Sequence, residues 1–324
     1  MISSEKIMLT GATGFVGQAL LGRFLLSQGT EVVALVRRHS QKIPSGVTQV
    51  IVNDDITWAD TAFPEGVATV IHLAGRAHVL KEVSSSPIDL YRADNVGYTL
   101  SLARKALASG VKRFVFISSI GVNGPSTDSV PFNETSTPSP QTDYAVSKWE
   151  AEQALKELLN GSGMELVIIR PPLVFASHAP GNFHRLMKLV SMGLPLPLAS
   201  IDNCRSMVSL ESLVDFISLC AKHPAAANET FLISDGVDFS TAKIIELLAH
   251  GMGKRVLIFP FPSGLLRLGA RAVGMEKAFE QLCGSLVIDS TKAHAVLGWR
   301  APMDANQALI SAGQNFRSAN FQQK

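Results

Sequence analysis

Tyr144 and Lys148 stand four residues apart in SPQTDYAVSKWEAE, the spacing that puts two side chains on one face of a helix. A free phenol titrates at about 10, too high for a proton relay at neutral pH. A neighbouring ammonium favours the phenolate and lowers that value. Such a pair can pass a proton to or from a hydroxyl or a carbonyl oxygen. RFVFISSIGVNG closes a strand-like run with Ser118 and Ser119, and a hydroxyl there can hydrogen-bond the same oxygen. Alone, the Tyr-Lys spacing is equally an ordinary turn of surface helix, so its meaning depends on what else the chain brings to it.

MLTGATGFVGQALLGRFL sets Gly11, Gly14 and Gly17 between an apolar run and an amphipathic segment. Gly11 permits a tight turn, Gly14 lets the backbone approach a pyrophosphate, and Gly17 allows close packing of helix on strand. Phosphate charge then meets the helix N-terminus. A triplet that follows a strand and opens a helix predicts dinucleotide binding. The adenosine ribose is normally read about twenty residues further on, where a carboxylate accepts from the 2′-hydroxyl. VVALVRRHS, at 32–40, offers Arg37 and Arg38 instead. Guanidinium forks pair with phosphate, so NADP(H) is the preferred cofactor, with NAD(H) also possible.

The elements that must carry these residues follow from the apolar pattern. Strand-like and helix-length segments alternate over Lys6–Leu9, Gly17–Gln28, Glu31–Val36, Val50–Val52, Thr69–Leu73, Asp89–Ser109 and Arg113–Ile117. A helix over Tyr144–Asn160 and a strand over Glu165–Ile169 follow. This alternation predicts an α/β fold, a Rossmann-type doubly wound parallel sheet. From about residue 175 the pattern loosens into a smaller C-terminal α+β lobe. The expected domains are 1–174 for the dinucleotide and 175–324 mainly for substrate, with a segment that could return to the sheet. The stretch 124–143 reads as a loop long enough to be functional.

Composition narrows the partners. The chain has 324 residues, 46% hydrophobic, with a formal charge of +2, which argues against nucleic acid. Its three widely spaced cysteines fit neither a disulfide framework nor a metal site, and the expected compartment is the cytoplasm. The apolar run at the start is too short for a signal-peptide core, and no run is long enough for an integral membrane segment. FPFPSGLLRLGARAVG, at 259–274, admits a peripheral membrane contact, although amphipathic packing on its own domain is the preferred reading.

Taken together, the chain resembles the extended short-chain dehydrogenase/reductase family, the NAD-dependent epimerase/dehydratase group that acts on nucleotide sugars. The resemblance runs from about residue 6 to 302 through TGATGFVG, NDDIT, VIHLAGRAHV, NVGYTLSLARKALASGVKRFVFISS, YAVSK, IIRPPLVF and KAHAVLGW. It implies that Ser119, Tyr144 and Lys148 form the catalytic group, Ser119 matching the family's catalytic position better than Ser118. Phe15 and Val16 fall within the matched glycine turn. The resemblance places Asp55 and Ile56 along the adenine and Leu73, Ala74 and Gly75 along the cofactor's centre. Asn95 would support the site, Lys148 would also hold the nicotinamide ribose, and Pro171 would lie near the nicotinamide. In GNFHRLMKLV and NCRSMV, Asn182 and Phe183 match residues that lie along a uridine nucleotide, and Arg205 an arginine that pairs with its diphosphate.

Departures sharpen the expectation. No second diphosphate arginine is evident around Phe279–Gly284, and Asn123 replaces the tyrosine usual in VYG. Dehydratases carry an Asp-Glu pair where this chain has Ile120 and Gly121, so 4,6-dehydration is not expected. The leading expectation is NADPH-dependent reduction of a UDP-4-keto-N-acetylhexosamine, of the UDP-QuiNAc type, in surface-polysaccharide (O-antigen) synthesis. The alternative is a UDP-glucose or UDP-N-acetylglucosamine 4-epimerase; a remote one is a non-catalytic NADP-binding protein. The resemblance also implies a homodimer built on the helices after NVGYTL and YAVSK.

Overall fold

Helix-length crossovers between short apolar strands return the chain to the same end of the sheet, which makes neighbouring strands parallel. The computed structural model has this arrangement, and describes residues 5–27, 29–53, 61–77, 86–274 and 276–322. Strand β1 (Glu5–Thr10) leads through the glycine turn into α1 (Phe15–Leu25), β2 (Thr30–Val36) and β3 (Thr48–Ile51). Next come β4 (Val67–His72), α2 (Pro87–Arg92), a π-helical turn over Ala93–Gly97 and α3 (Tyr98–Ala108). Strand β5 (Arg113–Ile117), α4 (Asp143–Leu159) and β6 (Glu165–Arg170) follow. The chain then runs through β7 (Leu173–Phe175), α5 (Gly181–Met192), β8 (Arg205–Ser209), α6 (Leu210–Cys220), β9 (Thr230–Leu232) and β10 (Asp238–Phe239). It continues through α7 (Thr241–Gly251), α8 (Ser263–Ala272), α9 (Glu276–Cys283), α10 (Thr291–Leu297) and α11 (Ala305–Gln322).

The main sheet has seven strands in the order β3-β2-β1-β4-β5-β6-β9, all parallel. Side chains alternate across it: Ile7 and Leu9 join the core under α1 and α6, while Met8 joins the opposite core with Leu102 and Leu155 of α3 and α4. From β1 the chain winds outward to β2 and β3, then returns to the other side of β1 as β4. The ends of β1 and β4 therefore flank the crevice where such sheets receive ligands. A second sheet, β10-β8-β7, shares a core with α5, α7 and α11 that includes Phe183, Leu248 and Leu309. The chain crosses between the sheets more than once, because α6, β9 and Trp299 all complete the larger core.

Two local expectations are refined. The segment Asp89–Ser109 is not one helix: the π turn interrupts it at Asn95, a distortion that often marks a functional position. The stretch 124–143 is a loop, as expected, but a tethered one. Its backbone is laddered to a later segment, Thr127 N donating to Ser285 O at 3.0 Å, Phe132 N to Val287 O at 2.9 Å and Asp289 N to Phe132 O at 2.8 Å.

Candidate active site

Three glycines shape the crevice. Gly11 has φ +69°, and a Cβ there would lie 2.8 Å from Ala74 N, so the turn after β1 abuts Leu73 and Ala74 at the end of β4. A Cβ on Gly17 would sit 2.1 Å from Gly11 O, so α1 can approach its strand only without a side chain there. Gly14 is open but for Gly11 O, as a backbone meant to meet a pyrophosphate should be. These positions, with the amino end of α1, fit a dinucleotide. Phe15 and Val16 pack as partly buried residues against the core. Arg37 and Arg38 lie exposed directly after β2, with the Arg37 carbonyl accepting from Asn53 Nδ2 at 3.1 Å. Asp55 and Ile56 lie outside the described residues.

A buried histidine ties this crevice together. Thr10 Oγ1 accepts from Ala74 N at 3.0 Å, so its hydrogen points to His72 Nδ1, 2.7 Å away. Thr99 Oγ1 donates to Asn95 O at 2.8 Å, so the His72 Nε2 hydrogen points to Thr99 Oγ1 at 2.8 Å. The network thereby assigns the Nε2–H tautomer. Burial, reinforced by the charge of Lys148, holds His72 down at about 3, so the ring is neutral at physiological pH. Asn95 completes the brace. Its Oδ1 accepts from Arg76 N at 2.7 Å, and its Nδ2 donates to Arg76 O at 3.0 Å and to Ser147 Oγ at 2.9 Å.

The catalytic candidates converge at the ends of β5 and α4. Thr142 caps α4, its hydroxyl accepting from Ala145 N, and this fixes Tyr144 in the first turn. Ser119 lies just beyond β5, and its hydroxyl acts on the Tyr144 phenol, favouring the phenolate. Lys148 Nζ donates to Ile117 O at 2.9 Å and lies 4.5 Å from the centre of the Phe116 ring. A Cβ on Gly75 would fall 3.3 Å from that Nζ, so Lys148 reaches the mouth of the crevice. Burial pushes the Tyr144 phenol up to about 12, against the opposing influence of the Ser119 hydroxyl. The expected lowering by Lys148 is not realised in this arrangement, where the lysine engages a backbone carbonyl. Burial also pulls Lys148 down to about 8, opposed by Glu152, and leaves it charged at pH 7.

Below these residues lies a polar network that sequence reasoning missed. Glu152 accepts from Arg170 Nε at 2.9 Å and Nη2 at 2.5 Å, and from Ser118 Oγ at 2.5 Å. Arg170 Nη1 donates to Asn123 Oδ1 at 3.0 Å, and Asn123 Nδ2 to Asn133 O at 3.2 Å. Ser118 is thus committed to structure, and Asn123 has a partner that explains its departure from the family pattern. The signal was present: 144, 148 and 152 repeat every four residues along one helix face. Pro171 is buried, its carbonyl accepting from Ile120 N at 3.0 Å.

The candidate substrate residues separate. Asn182, exposed at the start of α5, hydrogen-bonds Gln281 of α9. Arg205 Nη1 donates to Gly284 O at 2.7 Å. Both therefore face the end of α9. The Phe183 side chain, by contrast, is 1% exposed and packs against Phe175 with ring centres 5.7 Å apart. The ring belongs to the core, so any contact of residue 183 with a nucleotide would be made by its backbone. Among the described residues no cluster of side chains could hold a metal ion.

A family model described as the NAD dependent epimerase/dehydratase family matches residues 7–234. The chain is 40% identical to a UDP-glucose 4-epimerase from Vibrio cholerae, with 98% of this chain and 97% of that one covered. It is 28% identical to an N-acetyl-alpha-D-glucosaminyl-diphospho-ditrans,octacis-undecaprenol 4-epimerase from Escherichia coli O157:H7, over 94% of this chain and 93% of that one. A solved UDP-glucose 4-epimerase from Thermotoga maritima, determined with UDP-glucose, shares the fold with a TM-score of 0.74 at 20% identity. That likeness covers 97% of this chain and 99% of the other. The matched span runs from β1 through β9 and holds the glycine turn, Ser119, Tyr144 and Lys148, and the chain belongs to the NAD dependent epimerase/dehydratase family.

Proposed function

We propose that the protein interconverts a hydroxyl and a ketone at C4 of a UDP-linked hexose, and that the complete reaction is 4-epimerisation. The observation that carries this reading is the convergence of Ser119 after β5 with Tyr144 and buried Lys148 on α4, the Lys148 Nζ fixed on Ile117 O at 2.9 Å. The 40% identity to a UDP-glucose 4-epimerase supports it. The nicotinamide, when bound, supplies and takes up the hydride. Tyr144 handles the proton of the C4 oxygen and Ser119 hydrogen-bonds that oxygen. In the ligand-free chain the phenol keeps its proton, the state that delivers it to a carbonyl oxygen. The oxidative half needs the phenolate, which the Lys148 ammonium favours when it turns from Ile117 O toward the phenol. Arg205 is the proposed diphosphate anchor. Ile120 is buried and Gly121 has no side chain, so neither can supply the carboxylic acid that dehydration requires.

A second reading, net reduction of a UDP-4-keto sugar by NADPH, is favoured by Arg37 and Arg38 standing exposed where the 2′-phosphate would be read. One pair of assays separates the two. Purified protein is incubated with UDP-glucose or UDP-N-acetylglucosamine, and the sugar is followed by NMR. It is also incubated with a UDP-4-keto-N-acetylhexosamine and NADPH, and nicotinamide absorbance is followed. Appearance of the C4 epimer without net change in cofactor supports epimerisation. Stoichiometric loss of NADPH without epimer formation overturns it in favour of reduction, and activity in neither assay removes both.

A further inference from the structure

We propose that α8 and the extended segments beside it form a peripheral docking surface for an anionic membrane. The stretch 259–274 was expected to pack its apolar side on its own domain, but α8 has no buried residue. Only Leu266 and Ala270, one turn apart, are partly covered. The opposite side carries Leu265 and Leu268, 57% and 63% exposed.

The apolar surface extends beyond the helix. The segment 196–199 runs beside 257–259, Leu196 N donating to Leu257 O at 2.8 Å and Phe259 N to Leu196 O at 3.0 Å. Phe261 N donates to Ser200 Oγ at 3.1 Å, and Lys254 Nζ to Ser191 O. These bonds bring exposed Met192, Leu194, Leu257 and Phe261 into one region leading to α8. A contiguous exposed apolar surface marks an interaction site rather than ordinary solvent-facing surface.

Charge identifies the occupant. Residues 251–274 contain Lys254, Arg255, Arg267 and Arg271 and no aspartate or glutamate. All four cations are exposed. Arg267 and Arg271 lie along one flank of the Leu265–Leu268 stripe, one helical turn apart, and Arg267 also reaches Glu280 at 3.1 Å. Apolar side chains beside a cluster of exposed cations, only Arg267 of which meets a carboxylate among the described residues, suit the interface between acyl chains and anionic headgroups. The long arginine stems can lie along the apolar layer while their heads meet phosphate. A second copy of the chain is the poorer occupant, because a two-fold contact would set these four cations against the same four. Among the described residues no helix is long and apolar enough to cross a membrane, so this contact would lie on the surface.

The test uses the full chain, and its readout is independent of turnover and therefore of the proposed reaction. Sedimentation with vesicles of equimolar phosphatidylglycerol and phosphatidylcholine is compared with phosphatidylcholine alone. The protein is expected to co-sediment with the anionic vesicles, less so at high salt, and not with the neutral ones. The double variant Leu265→Glu/Leu268→Glu should weaken partitioning about tenfold or more. Its thermal midpoint should match the parent, since both side chains are exposed. Arg267→Glu/Arg271→Glu should also weaken partitioning. Absence of binding to anionic vesicles overturns the proposal, as does equal binding by the leucine double variant. A parent dimer in gel filtration that the same variant dissociates also overturns it, since the surface would then be a contact between copies.

Discussion

Replacing Arg170 with methionine would strip Glu152, a side chain with no exposed surface, of its ion-pair partner, leaving it the Ser118 hydroxyl and the more distant charge of Lys148. Breaking a buried pair by removing one member costs about 3–5 kcal/mol, because the remaining charge is uncompensated. A chain of 324 residues unfolds with an entropy of about 0.7 kcal/mol per kelvin. The expected fall in Tm is therefore about 4–7 °C at pH 7. Glu152→Gln/Arg170→Met removes both charges, keeps an acceptor for Ser118, and should recover most of the loss. Differential scanning fluorimetry of the parent, the two single variants and the double variant completes a thermodynamic cycle. An Arg170→Met midpoint within about 1 °C of the parent would refute the assignment of a buried, charged pair. A double variant no better than the singles would show that the pair is not coupled.

Tyr144→Phe should lower turnover by about a hundredfold or more while cofactor affinity is retained, measured by epimer formation and by nicotinamide fluorescence titration. Arg37→Asp should shift preference from NADPH toward NADH by at least about tenfold in dissociation constants, from loss of a charge-assisted fork; an unchanged ratio would remove the case for 2′-phosphate recognition. Lys148 titrates at about 8 folded against its ordinary 10.5, so the unfolded chain binds the extra proton between those values and stability rises with pH there. The tyrosines at 98 and 144, held at about 12, reverse the trend above about 10, so Lys148→Met should flatten the rise between about pH 8 and 10. For His72, held at about 3 against an ordinary 6.5, the unfolded chain takes up the proton first as pH falls through 6.5. Stability is lost from there toward 3, and urea midpoints of His72→Gln should show a shallower acid slope than the parent.

Local chemistry was legible in the sequence because it is carried by short spacings. The glycine triplet, the Tyr144–Lys148 pair and the strand ending at Ser119 need only a strand, a turn and a helix to define their geometry, and the parallel order follows from the alternation. Features set by distant contacts were not legible. Glu152 and Arg170 meet only because α4 packs beside β6, and His72 takes its partners from β1 and α3. That the Phe183 ring packs into the core of the second sheet shows only once α5 is placed against β7 and α7. The stretch 259–274 reads as packed on its own domain because periodicity shows which residues share a face, not whether that face is covered.

The ladder between 124–143 and 285–289 has a consequence for selectivity. It fastens the turn after Ser119 to the strand of Arg205: Ile120 packs with Leu286 and Ile288, and Ser206 N donates to Leu286 O at 2.8 Å. Ser119, proposed to meet the reacting oxygen, and Arg205, the proposed diphosphate anchor, therefore belong to one mechanical unit, which acts as a ruler. In the proposed reaction the interval it measures, from diphosphate to C4, is the same whatever substituent stands at C2. Discrimination between a hexose and its N-acetylamino counterpart must then come from side chains that touch C2, and exchanging those should change the sugar accepted without moving the carbon that reacts.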